Sequence, residues 1–159
     1  MNLAGKVAAI SLAFAICARG QTKLASTDAL FAKVLPEIQH RSSVPPRLPR
    51  MLQLHSESAH IEEASRDFYE VVVGFGEECG GQHWCTTHIL TGEKTSKVPK
   101  GESVRLKRST VGYYRPYACA AYCSNASISW IEGDYLYTIE IKAGGKEDLV
   151  AAANSALSD

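Results

Sequence analysis

No stretch of this chain is apolar over the length a membrane-crossing helix needs. The longest largely apolar run, VAAISLAFAICA at residues 7–18, falls short of the ~18 residues that span a bilayer. Charge of one sign is also missing: 17 Lys and Arg balance 17 Asp and Glu. That balance removes any global electrostatic reason to expect nucleic acid or an anionic membrane as partner. There is no C-x-x-C pair to tune a reactive thiol, no G-x-S-x-G elbow to present a nucleophilic serine, and no glycine-rich phosphate loop. Neither repeats nor low-complexity tracts occur. The carboxylates that come in pairs, Glu62-Glu63 and Glu77-Glu78, are sequence neighbours, which on a strand point to opposite faces and form no acid–base couple. His40, His55, His60, His83 and His88 lie at no spacing that joins a base to a nucleophile. A secreted hydrolase therefore stays an alternative without named catalytic residues, and no cofactor is implied.

What the chain does carry begins with an address. Residues 1–6 hold one lysine, residues 7–18 have the length of a signal-peptide core, and Ala18-Arg19-Gly20 offers small residues before Gln21. Residues 1–20 are expected to be a cleaved leader. Lipoprotein processing at Cys17 fits less well, because Ile16 before it is not small. The remaining chain, residues 21–159, is expected to be one secreted or periplasmic domain with no transmembrane segment. Loss of Lys6 and Arg19 leaves it two charges on the acidic side.

The cysteines support the same reading. Five are present, and an exported protein is left with an odd one. Cys17 lies in the leader, so four remain: Cys79 and Cys85 in CGGQHWC, Cys119 and Cys123 in CAAYC. Two disulfides are expected. The glycines and alanines inside the loops favour local pairing, each closure contributing ~2 kcal/mol through loop entropy, while cross-pairing of the loops stays open. The alternative is a metal centre from Cys79, His83, Cys85 and His88, with Cys119 and Cys123 as further thiolates. Its spacing matches none of the usual zinc templates, and an oxidising compartment consumes thiolates.

Hydrophobic periodicity supplies the fold. Leu30, Phe31, Val34, Leu35 and Ile38 form a stripe at helical spacing, predicting a helix over residues 27–40 with a kink or break at Pro36. Residues 41–52, with Pro45, Pro46 and Pro49, read as a stiff connector. Residues 53–67 are polar and ambiguous between a short helix and a solvent-facing strand. A sheet is expected over residues 66–142. FYEVVVGF at 68–75 is apolar on both faces and suits a central strand; residues 86–90 form a strand, 91–94 a turn, and 103–107 and 111–117 further strands. The clearest element is a hairpin, residues 126–131 and 135–142, turning at Glu132-Gly133-Asp134 and crowded with aromatic and β-branched residues. Residues 145–157 form a final helix whose first turn carries Glu147 and Asp148. The expected class is α+β: an antiparallel sheet of five or six strands with an N-terminal and a C-terminal helix on one face.

Charge is uneven along the chain. Residues 57–78 hold Glu57, Glu62, Glu63, Asp67, Glu70, Glu77 and Glu78 against Arg66 alone, whereas residues 94–115 hold Lys94, Lys97, Lys100, Arg105, Lys107, Arg108 and Arg115 against Glu102. The two stretches either face each other or are solvated. Arg105, Lys107, Arg108 and Arg115 lie near Tyr113, Tyr114 and Tyr117 in sequence, an aromatic and basic set that could hold an anionic polymer, a peptide or a glycan by stacking and charge. The simpler reading gives some of these tyrosines to the core and uses the cations to keep an edge strand soluble.

Trp130, Tyr137-Thr138-Ile139, Glu147-Asp148-Leu149 and Ala153-Asn154-Ser155-Ala156-Leu157, with Leu48-Pro49-Arg50-Met51-Leu52 upstream, resemble a bacterial domain of unknown function. That domain sits on the extracytoplasmic side of anti-sigma-like and other envelope proteins. The resemblance implies a small α+β sensor or binding domain without known catalytic residues; the four cysteines depart from it. A family of uncharacterised exported bacterial proteins describes the chain equally well. The expectation is a non-catalytic binding or accessory domain of the cell envelope, with a peptide, an anionic polymer or another envelope protein as partner.

Overall fold

The computed structural model describes residues 24–76 and 84–158. In chain order it forms β1 (Leu24–Ser26), α1 (Asp28–Phe31), α2 (Val34–Arg41), β2 (Met51–Gln53), β3 (Glu57–Ser65), β4 (Phe68–Phe75) and β5 (Thr86–Lys94). There follow β6 (Glu102–Arg105), a 3-10 turn (Lys107–Ser109), β7 (Val111–Arg115), β8 (Ala118–Cys119), β9 (Cys123–Ser124), β10 (Ala126–Glu132), β11 (Tyr135–Ile141) and α3 (Lys146–Ala156). Seven strands make one antiparallel sheet in the order β3-β4-β5-β11-β10-β7-β6, and β1 with β2 and β8 with β9 make two small ones. The β10–β11 hairpin, last of the strands in sequence, is inserted between the β3–β5 meander and the β6–β7 hairpin, so it completes the sheet.

Side chains alternate across a strand, and the register fixes which face each one joins. Tyr69, Val71 and Val73 of β4, Leu90 of β5, Tyr137 and Ile139 of β11, and Ala126, Ile128 and Trp130 of β10 line one face and are all buried. The helices cover this face: α3 packs on β10 and β11, and α1 and α2 pack on β3. Leu149, Ala152, Ala153 and Ala156 of α3 are buried, the small alanines letting the helix lie close to the sheet. Ser127, Ser129, Tyr113, Arg115, Thr138 and Glu140 point to the other face.

The expected α+β class is overturned. The chain is mostly β, with seven strands in the main sheet where five or six were expected, and the three α-helices are only 4, 8 and 11 residues long. One stretch left open between helix and strand and one misread as a turn account for this. The polar residues 57–65 form β3, an edge strand whose residues are at most half-buried, so hydrophobic alternation hardly marks it. Residues 91–94 are not a turn but the second half of β5. Gly92 is there because the Tyr69 ring lies across it: a Cβ would run into Tyr69 Cε1.

The N-terminal helix breaks at Ala32 and Lys33, before Pro36. Pro36 falls in the first turn of α2, where no backbone N–H bond is required of it. The disulfide Cys119–Cys123 is formed. Cys85 is also disulfide-bonded, its partner lying outside the described residues, as do the leader, Cys79 and His83. With Cys119 and Cys123 joined to each other, cross-pairing of the two loops is excluded. No helix among the described residues is long and apolar enough to cross a membrane.

Candidate functional site

The seven residues of the aromatic and basic set do not form one patch. Pairing of Trp130 with Gly112 and of Ile128 with Tyr114 places Tyr114 on the helix-covered face, leaving Tyr113 and Arg115 on the opposite one. Lys146 Nζ sits 5.6 Å from the Tyr114 ring centroid and bonds Glu102 at 2.6 Å. Lys107 is tied to the end of α3: its N–H donates to Asn154 Oδ1 (2.7 Å) and its Nζ to Ser158 Oγ (3.0 Å). A cation there complements the helix dipole. Arg108, in left-handed backbone at φ 57°, lends its charge to Glu132. Arg105 is exposed on the edge strand β6, and Tyr117 lies beyond β7, at the end of the sheet.

The acidic and basic stretches do not face each other either. The first builds β3 and β4 at one edge of the sheet and the second builds β6 and β7 at the other. On the acidic side, burial followed by the charges of Glu62, Glu140 and Glu63 pushes the Glu70 carboxyl above its usual range.

The antiparallel order brings something else together. The end of β4, the start of β5, the end of β11, the start of β10 and the end of β7 all lie at one end of the sheet. Here, across five neighbouring strands, sit four large exposed side chains: Tyr122 (90% exposed), Trp84 (77%), Phe75 (48%) and Tyr117 (45%). Trp84 directly precedes the disulfide-bonded Cys85, and the Cys85 carbonyl accepts the Phe75 N–H at 3.0 Å. Lys142 Nζ donates to the Trp84 carbonyl at 3.3 Å, tying this strand start to the end of β11. Tyr122 is inside the five-residue loop closed by Cys119–Cys123. The β8–β9 pairing braces that loop, and the Tyr117 hydroxyl reaches Cys119 Sγ at 2.7 Å. A hollow of about 200 Å³, lined by Arg115, Ser127, Glu140, Asn125 and Cys123 among others, joins this end to the helix-free face. Sequence reading caught only Tyr117 and Arg115. The available signal was an aromatic residue caught in or beside a short cysteine loop, where the chain is too constrained to carry the ring into the core.

Behind this end, on the helix-covered side, His88 is buried. Thr87 Oγ1 donates to the Val73 carbonyl (3.0 Å), so in its 2.9 Å contact with His88 Nδ1 the ring nitrogen is the donor. Nε2 is then a buried acceptor with no partner among the described residues. Burial lowers the imidazole to about 4, against a smaller upward pull from Glu57. A histidine that donates to a hydroxyl is in the wrong tautomer to take its proton, so this pair is no nucleophile and base. His55 and His60 lie near Glu57 (3.8 Å) and Glu62 (3.5 Å). Among the described residues no three His, Cys, Asp or Glu side chains gather as metal ligands. Cys85, Cys119 and Cys123 are in disulfides and are not thiolates. Searches of family models, curated proteins and solved structures return no match to this chain.

Proposed function

We propose that the chain is an exported, non-catalytic accessory domain of the cell envelope that docks on another protein through the cysteine end of its sheet. The observation that carries this reading is the exposure of Tyr122 in the loop closed by Cys119–Cys123 and of Trp84 beside the disulfide-bonded Cys85. Leaving such rings in water forgoes ~2 kcal/mol of burial for each. Tryptophan, tyrosine and arginine are also the side chains that dominate protein–protein contacts. A loop held by a disulfide loses little further freedom on docking, so more of the contact energy appears as affinity. Phe75, purely apolar, suits a protein surface better than a sugar or an anionic polymer. Arg115 at the margin supplies charge for orientation. The leader-like residues 1–20 and the tail's resemblance to an envelope domain support the location.

The test is site-specific photo-crosslinking in the native host. Replacing Tyr122 with benzoylphenylalanine should give one discrete protein adduct that disappears when Trp84→Ala is added. The same probe at Val98, which is exposed on a different loop, should give none. Equal labelling from both positions, or an adduct indifferent to Trp84, would contradict the proposal.

A further inference from the structure

A second concave surface lies away from the cysteine loops. It is a groove of about 440 Å³ between α1, the proline-rich connector and the end of α3. Phe31, Leu35, Leu48 and Ala156 supply its apolar lining, and Asp28, Arg47 and Arg50 its charges. The chain builds it because Pro45, Pro46 and Pro49 have no backbone N–H to give a sheet ladder, and this segment forms neither helix nor strand. The connector is fixed there at several points. Tyr137 Oη donates to the Pro45 carbonyl (3.0 Å), the Arg47 N–H donates to Tyr69 Oη (3.0 Å), and the Thr27 N–H donates to the Arg50 carbonyl (3.1 Å). The Arg47 guanidinium is committed to Glu132. The one carboxylate, Asp28, accepts the Ser26 hydroxyl at 3.0 Å. The Arg50 guanidinium bonds to none of the described side chains. The groove is therefore preformed, lined by both apolar and polar side chains, and among the described residues its Arg50 has no side-chain partner.

We infer that this groove binds a small aliphatic carboxylate, its chain against Phe31, Leu35 and Leu48 and its carboxyl group on Arg50. The volume lies in the range of sites that take small molecules, about 300–1,000 Å³. A guanidinium pairs with a carboxylate through two parallel hydrogen bonds, which selects an acid over an alcohol of the same length. Arg47 keeps its guanidinium donors on Glu132 and does not compete for the ligand. The ligand would be held between the connector and α3, a place independent of the docking end.

Decanoate, kept below its micelle concentration, is the probe, titrated into the mature protein and followed by amide NMR. Expected are saturable shifts at Phe31, Leu48 and Ala156 with Trp84 and Tyr122 unmoved. Decanol in place of decanoate, and Arg50→Ala, should each weaken binding by about tenfold or more. Ala32→Trp, a change at an exposed groove position, should block it while Trp130 keeps its native near-ultraviolet signal. No saturable shift at millimolar decanoate, binding unaffected by both variants, or shifts centred on Trp84 and Tyr122 would overturn the inference. None of these outcomes depends on the crosslinking result at position 122.

Discussion

Gly92 and His88 show how single residues set this fold and its tolerance of acid. At Gly92 the space a side chain would fill is occupied by the Tyr69 ring, whose hydroxyl in turn holds the connector through Arg47. Gly92→Ala forces the ring aside and should cost ~1–3 kcal/mol, the usual penalty for overpacking, measured by urea unfolding. The same residue shows why sequence reading went astray, since glycine beside Glu and Lys suggests a turn and nothing local reveals a tyrosine from the neighbouring strand. His88 is neutral in the fold and titrates at about 4, compared with 6.5 as the ordinary value. The unfolded chain therefore takes up a proton first as pH falls. Stability present above pH 6.5 should decline through the window down to about 4 and then level off for this group, by as much as ~3 kcal/mol. In His88→Leu the slope of unfolding free energy against pH should flatten across that window; an unchanged slope would show that the ring is not buried as described.

At the scale of elements, the β10–β11 hairpin and α3 were legible because their signals are local. Ile128, Trp130, Tyr137 and Ile139 alternate inward, Gly133 takes a positive φ at the turn, and Asp148 accepts the Gly145 N–H at the start of α3. The local pairing of Cys119 with Cys123 was readable for the same reason. The proline-rich connector was legible only as stiff. What holds it is long-range: Arg47 grips Glu132 at 2.9 to 3.2 Å, and Glu132 also accepts Trp130 Nε1 (3.0 Å). Burial raises the Glu132 carboxyl, but the Arg47 and Trp130 hydrogen bonds and the charges of Arg47 and Arg108 outweigh it and hold the group below the usual 4.5. Its contribution is thus present above that pH and lost below it, a window more acidic than most of that of His88. Arg47→Met should cost ~1 kcal/mol at neutral pH after allowance for solvent screening, and the difference from the parent protein should shrink below pH 4. Thermal melts of both proteins at pH 7 and pH 3.5 check this.

For the whole molecule, the order of the seven strands decides where function can sit. Insertion of the C-terminal hairpin at the centre pushes the acidic and basic stretches to opposite edges and splits the tyrosines and arginines that adjoin in sequence. It also brings Trp84 and Cys85 to the same end as the Cys119–Cys123 loop, which linear reading missed because β5, β6 and β7 separate them in sequence. The proposed docking end rests on the disulfides of Cys85, Cys119 and Cys123, bonds that persist in oxidising compartments. The most direct measurement is the intact mass of the protein from its native host, with a thiol titration under denaturing, non-reducing conditions. The account predicts a chain beginning at Gln21 with no titratable thiol. A product that retains residues 1–20 with its cysteines reduced would contradict it.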